Sequence, residues 1–234
     1  MPRVKLMLTC LCDAFYGEVG IATVKVLEKL GCEVVFEPDQ TCCGQPPFNS
    51  GDWTEARKVA RHCQSVLFRG PENVVTPSGS CAAMVCEGYE MLFPGEHFRA
   101  FELGQFVVNE LGVRSMPAAR SYPRRIAFHR ACHGRALGLR DEQEMLLASV
   151  PGVQLVEFEN PEQCCGFGGA FCVTQGRLSS GIGLEKLRTI QESGAEEIAT
   201  GDMGCGMHLQ GLIDRHRMNL RVRHFAEILA EVIA

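Results

Sequence analysis

Apolar and polar residues alternate along this chain in two rhythms, one short and strand-like, the other spaced for helices. Val4–Leu8 is a mostly apolar run suited to a buried strand, and it delivers Cys10 just beyond its carboxyl end. Ile21, Val24, Leu27 and Leu30 then recur at helical spacing with Lys25, Glu28 and Lys29 between them, and Gly31 supplies the stop. Cys32–Phe36 reads as the next strand. Cys42-Cys43-Gly44-Gln45-Pro46-Pro47 cannot continue it and must be loop, after which Asp52 can cap a helix running to Phe68. Val74–Thr76 is a third strand, broken at Pro77-Ser78-Gly79-Ser80-Cys81 before a helical stretch to Leu92.

The second half repeats this order. Arg125–His129 is a strand ending near Cys132, Asp141–Val150 is helical, Val153–Phe158 is a strand, and Cys164-Cys165-Gly166 is a loop. Leu178–Ser193 is helical again, and Glu197–Thr200 is a strand leading to Gly204-Cys205. Strand-helix alternation in both halves predicts an α/β fold of two pseudo-symmetric parallel lobes from an internal duplication, with cysteines at the carboxyl ends of strands. Ligand sites of open α/β sheets lie at those ends. Val113–Tyr122, followed by Pro123, is the natural junction, which predicts one repeat over 1–120 and a second over 121–234.

The cysteines carry the duplication. Positions 10, 42 and 43 recur at 132, 164 and 165, an offset of 122, and position 81 recurs at 205, an offset of 124. Of thirteen cysteines, Cys10, Cys42, Cys43, Cys81, Cys132, Cys164, Cys165 and Cys205 fall on the repeat; Cys12, Cys32, Cys63, Cys86 and Cys172 do not. Buried core thiols explain Cys32, Cys63, Cys86 and Cys172, because an isolated cysteine behaves as a small hydrophobe. That reading fails for eight cysteines repeated in register.

Four thiolates per half suit an iron–sulfur cluster or a structural zinc. The adjacent Cys-Cys pairs favour a cluster, since side chains that would point apart in a strand reach one site only on a sharp turn. Gly44 and Gly166 permit that turn. Small residues near the cysteines, among them Gly79, Ser80, Gly168 and Gly169, leave backbone amides free to approach an anionic centre. Tetrathiolate zinc fits the same ligand type, and a vicinal disulfide at Cys42-Cys43 would leave Cys10 and Cys81 unexplained.

Composition narrows the class. A chain of 234 residues, 46% hydrophobic, can bury its cores without disulfide staples. Lys5 interrupts the first apolar run, so no export signal or membrane-spanning segment is expected, and clustered thiols then predict a cytoplasmic protein. The net charge of -5 argues against nucleic-acid binding, although seven arginines gather between Arg114 and Arg140, where they could meet an acidic partner.

These motifs resemble the CCG, or cysteine-rich, domain duplicated in heterodisulfide reductase, the glycolate oxidase iron–sulfur subunit and the lactate-utilisation protein A family. The last is the best match, through Thr9-Cys10-Leu11-Cys12, Leu30-Gly31-Cys32-Glu33-Val34, Cys42-Cys43-Gly44-Gln45-Pro46, Pro77-Ser78-Gly79-Ser80-Cys81, Cys164-Cys165-Gly166-Phe167-Gly168-Gly169 and Gly204-Cys205. The resemblance implies an iron–sulfur electron-transfer component of a multi-protein system that oxidises L-lactate to pyruvate. It implies partner subunits, a ferredoxin-like iron–sulfur protein among them, and a [4Fe–4S] cluster in each half. The heterodisulfide reductase motif ends in Cys-x-x-Cys, and here Met84 and His208 stand at the last positions, so the fifth thiolate is missing from both halves.

Two other readings stay open on the residues. One is a zinc-binding scaffold. The other is an enzyme that binds a hydroxy acid at an open cluster edge, with Arg130, Arg135 or a histidine holding the carboxylate. No nucleotide-binding glycine fingerprint follows a strand, so hydride chemistry would need another subunit. Cys12, His129, His133 and His208 are auxiliary candidates near the repeated cysteines.

Overall fold

The computed structural model describes residues 1–233. Two four-stranded parallel sheets form its core. The first contains β1 (Arg3–Leu6), β2 (Glu33–Phe36), β3 (Asn73–Thr76) and β4 (Ala100–Glu102), in the order β2-β1-β3-β4. The second contains β5 (Arg124–His129), β6 (Val153–Leu155), β7 (Glu197–Thr200) and β8 (Val222–His224), in the order β6-β5-β7-β8. The duplicated α/β architecture is therefore as the sequence predicts. Each sheet has one strand more than the periodicity revealed, because β4 and β8 are three residues long and too short to establish alternation. The strand predicted over Val153–Phe158 ends at Leu155, and the helix predicted from Ile21 begins at Gly17.

The strands deliver the cysteines onto helix starts. Beyond β1, Thr9 caps a helix over Cys10–Phe15, its side chain accepting from the Cys12 amide at 3.2 Å. Beyond β3, Ser78 caps Gly79–Ala83 by accepting from the Cys81 amide at 3.2 Å. Asp202 does the same beyond β7 for Met203–His216, accepting from the Gly204 amide at 2.9 Å. Helix Cys132–Ala136 follows β5 without a side-chain cap.

The lobes share one core. Val4, Phe101 and Phe106 of the first half pack in the same cluster as Ile126, Phe128, Phe225 and Leu229 of the second. Helix Phe225–Val232 lies against helix Gly17–Lys29. Contacts at the cysteine end are reciprocal, as an approximate twofold axis requires: the Cys81 helix packs on the Cys132 helix, and the Cys10 helix touches the Cys205 helix. A Cβ on Gly79 would lie 3.2 Å from the Gly134 backbone, so any larger residue would push the two helices slightly apart. At the axis the two equivalent caps meet. Ser78 Oγ donates to Asp202 Oδ2 at 3.0 Å, and the Ser80 amide donates to the same oxygen at 2.9 Å.

Asp202 therefore holds three donors from two lobes at a buried position. Asp202→Ala should cost about 3 kcal/mol, the scale for stranding buried donors, read as a lowered denaturant midpoint. Asp202→Asn, which keeps an acceptor oxygen, should lose less.

His224 joins the lobes as well. Its Nδ1 accepts from the Ala226 amide, so Nε2–H donates to the Pro77 carbonyl at 3.1 Å. Burial holds this imidazole neutral, with its pKa down from 6.5 to about 4. The unfolded chain takes up a proton near 6.5 that the folded chain refuses until about 4, so stability should fall as pH drops across that window. Denaturant titrations at stepped pH check the slope, which His224→Gln should flatten.

Candidate metal centre

All eight repeated cysteines line one cavity of about 200 Å³ at the junction of the lobes. A larger hollow of about 710 Å³, lined by Arg3, Lys5, Glu37 and His62, holds none of them. The Cys-Cys-Gly loops turn as their glycines predict: Gly44 has φ 90° and Gly166 has φ 92°. Through these turns the Gly44 amide points at Cys42 Sγ at 3.4 Å and the Gly166 amide at Cys164 Sγ at 3.3 Å.

Each quartet grades from solvent to core in the same way. Cys43 and Cys81 are buried while Cys10 is exposed and Cys42 half-buried; Cys165 and Cys205 are buried while Cys132 and Cys164 are exposed. In the first lobe Sγ atoms of Cys10 and Cys42 are 3.6 Å apart and those of Cys43 and Cys81 are 3.5 Å apart. In the second lobe Cys165 and Cys205 stand 3.0 Å apart, and Cys132 Sγ is 3.7 Å from His133 Nδ1.

Crowding splits the thiol acidities. Hydrogen bonds from Cys10 and then Cys43 pull Cys42 down to about 3, while the Cys42 bond and burial push Cys10 up. Cys43 is raised by its bonds to Cys42 and Cys81 and by complete burial. Cys132 is lowered by its bond to His133, whose own pKa is raised by the same contact. Such thiols cannot all ionise without a compensating cation. Every described cysteine is free, so eight sulfur donors are available to a thiophilic metal or cluster.

Several auxiliary candidates fall elsewhere. Cys12 is buried with Val19 and Met203, outside the cavity lining. His208 turns away from the cavity, its Nε2 3.4 Å from the Ser179 carbonyl and hydroxyl oxygens. Arg130 is locked in a two-point ion pair with Glu144, and Arg135 bonds Glu162 at 2.8 Å, so neither guanidinium reaches the cysteine cavity as a free carboxylate clamp. Cys32 and Cys63 are buried, and Cys86 and Cys172 are partly buried; none of the four lines the cavity, although Cys63 packs behind Cys43 and Cys81.

The structure singles out one auxiliary candidate, His129, and adds Lys186, which the sequence did not mark. His129, at the end of β5, is 1% exposed, and neither ring nitrogen has a hydrogen-bond partner among the described residues. One of its nitrogens lies within 4.8 Å of the Cys165 and Cys205 sulfurs. Burial holds it neutral, down to about 3. Stranding such a group costs about 1–3 kcal/mol unless something in the site engages it. Lys186, 0% exposed, donates to the carbonyls of Pro161 and Gln163 at 3.0 Å each, and Cys165, Cys205 and Cys164 oppose the drop to about 8 that burial imposes on its pKa.

This duplicated set of thiols on two parallel α/β lobes defines a cysteine-rich-domain protein, and the family model of the cysteine-rich CCG domain matches residues 4–86 and again 126–210. Lactate utilization protein A of Geobacillus thermodenitrificans is 42% identical over 238 residues, covering 97% of this chain and 98% of the relative. The proteins of that name from Halalkalibacterium halodurans and Bacillus velezensis are 42% and 40% identical, each across 97% of this chain and 96% and 98% of their own lengths. The chain belongs to the lactate utilization protein A family. A hypothetical protein from Helicobacter pylori shares the fold at a TM-score of 0.61 and 9% identity, over 99% of this chain and 49% of its own.

The loop turns supply a direct test. Alanine at position 166 would need φ near 92° and would drive its Cβ into the Ser179 carbonyl, whereas alanine at 169 would need φ near 61° with open space around it. Gly166→Ala should therefore cost about 3 kcal/mol and Gly169→Ala about 1–2 kcal/mol, compared by chemical denaturation.

Proposed function

We propose that this protein is the iron–sulfur electron-transfer component of a multi-protein system that oxidises L-lactate to pyruvate. The observation that carries this reading is the convergence of two matched thiol quartets on a single cavity, in a chain whose relatives are named lactate utilization protein A. Cys10, Cys42, Cys43 and Cys81 hold one centre, and Cys132, Cys164, Cys165 and Cys205 hold the other, each a [4Fe–4S] cluster. The halves divide at residue 120. The clusters, when bound, supply one-electron storage; the chain supplies thiolates, turn amides and a partly closed pocket.

Electrons pass between an oxidising subunit and an acceptor, a ferredoxin-like iron–sulfur protein among the partners, in the cytoplasm. Among the described residues no helix is long and apolar enough to cross a membrane. The more exposed pair of each quartet is the part of the site open to a partner. The ion-paired state of Arg130 and Arg135 favours relay over hydroxy-acid turnover at this site.

Anaerobically prepared protein should contain iron and acid-labile sulfide at the level of two four-iron clusters, with broad visible absorption. Stoichiometric zinc without sulfide would replace this function with the zinc scaffold.

Cys165→Ala, compared with Cys172→Ala under the same anaerobic conditions, separates the repeated thiols from the others. Loss of Cys165 should remove or rearrange the second cluster and leave the first in place. Loss of Cys172, whose Sγ donates only to the Gly169 carbonyl, should cost about 1 kcal/mol and leave iron content unchanged.

A further inference from the structure

The two quartets match in ligand type but not in their surroundings. β1 and β5 occupy the same place in their sheets, and counting from them sets Met7 against His129, by the offset of 122 that relates Cys10 to Cys132. Both side chains are 1% exposed. Met7 packs with Cys43 and Cys81, while His129 lies against Cys165 and Cys205. A thioether donates no hydrogen bond; a neutral imidazole carries one N–H.

The second difference lies on the long helices beneath the Cys-Cys-Gly loops, Trp53–Leu67 and Gly176–Glu192. Gly44 rests on the backbone of Ala56 and Ala60, and Gly166 on that of Ser179 and Gly183. Three residues beyond Ala60 is Cys63, and three beyond Gly183 is Lys186, both fully buried. An uncharged thiol in the first lobe thus stands where the second lobe holds an ammonium group. The buried lysine of the first lobe, Lys5, is engaged elsewhere, by the Arg69 carbonyl and Glu37, in the hollow that holds no repeated cysteine. Asp202 bonds residues of both lobes, and its negative charge bears on Cys205 of the second quartet, where His129 and Lys186 have to outweigh it.

We infer that the centre in the second lobe has the higher reduction potential, set by His129 and Lys186, so that electrons entering the protein collect there. Adding an electron to a cluster adds one negative charge, which a buried ammonium and an imidazole N–H beside the thiolates both stabilise. The first lobe, with Met7 and Cys63 at these places, lacks both. Electrons therefore move from the Cys10, Cys42, Cys43, Cys81 side to the Cys132, Cys164, Cys165, Cys205 side. This inference rests on the iron–sulfur reading above.

Redox titration of the anaerobic protein, followed by electron paramagnetic resonance with dithionite as reductant, tests the direction. Cys165→Ala identifies the first-lobe signal as the one that survives. Two reduction steps are expected, with the surviving signal belonging to the lower. His129→Met and Lys186→Met should each lower the higher step by about tenfold in its equilibrium constant, about 59 mV for one electron, and Met7→His should raise the lower one. Iron and sulfide content in each variant shows that the clusters are retained, and the His129 and Met7 exchanges, which place each lobe's own residue in the other, stand if Lys186→Met fails to fold. Coincident steps, a higher first-lobe step, or potentials unmoved in variants that keep both clusters would overturn the inference and leave the cluster assignment standing. Absence of iron and sulfide from the unaltered protein would overturn both.

Discussion

The bond between Ser78 and Asp202 is the constraint on which the rest of this structure turns. Each residue caps the helix that carries the last cysteine of its quartet, and the two caps are equivalent by the duplication. Joining them fixes both helix starts to one point, so this buried contact and the shared core together set how the quartets face each other. The Ser80 amide, the Gly79–Gly134 approach and the His224 bond to Pro77 then close the junction around it. A cap is ordinarily a local device. Here it also orients two lobes.

That junction explains why eight thiols can share one cavity without stapling the fold. The shared core is held by Val4, Phe128, Phe225 and their neighbours, well below the cysteines, so folding does not depend on linking sulfurs. The thiols are free to serve chemistry instead. Their mutual contacts set one acidity against another, and an external cation is the natural way to relieve that conflict. Asymmetry enters through what lies behind the sulfurs. His129 and Lys186 lie beside the second quartet, and Met7 and Cys63 beside the first, so two matched sets of thiols have different electrostatic surroundings.

Much of this was legible in the chain. The repeat of Cys10, Cys42, Cys43 and Cys81 at Cys132, Cys164, Cys165 and Cys205 identified the cysteines that line the cavity, because duplication preserves the spacing of residues that belong together while unrelated cysteines drift. Gly44 and Gly166 announced their turns because positive φ is a backbone demand that glycine meets locally. The long helices and the first three strands of each half were visible for the same reason, since periodicity is written in neighbouring residues. β4 and β8 were not, being too short to show a period, and Cys12 and His208 looked closer to the site than they are because sequence distance carries no direction.

The sequence by itself determined the α/β class, the duplication and the set of eight thiols, each of which rests on local pattern or internal repetition. Tertiary structure alone decided that the two quartets face one cavity, that Arg130 and Arg135 are consumed by Glu144 and Glu162, and that His129 is sealed beside Cys165 and Cys205. Those outcomes depend on how residues far apart in the chain are oriented across an interface. Side-chain direction, burial and pairing at such an interface are products of packing, and packing is settled only when both lobes are in place.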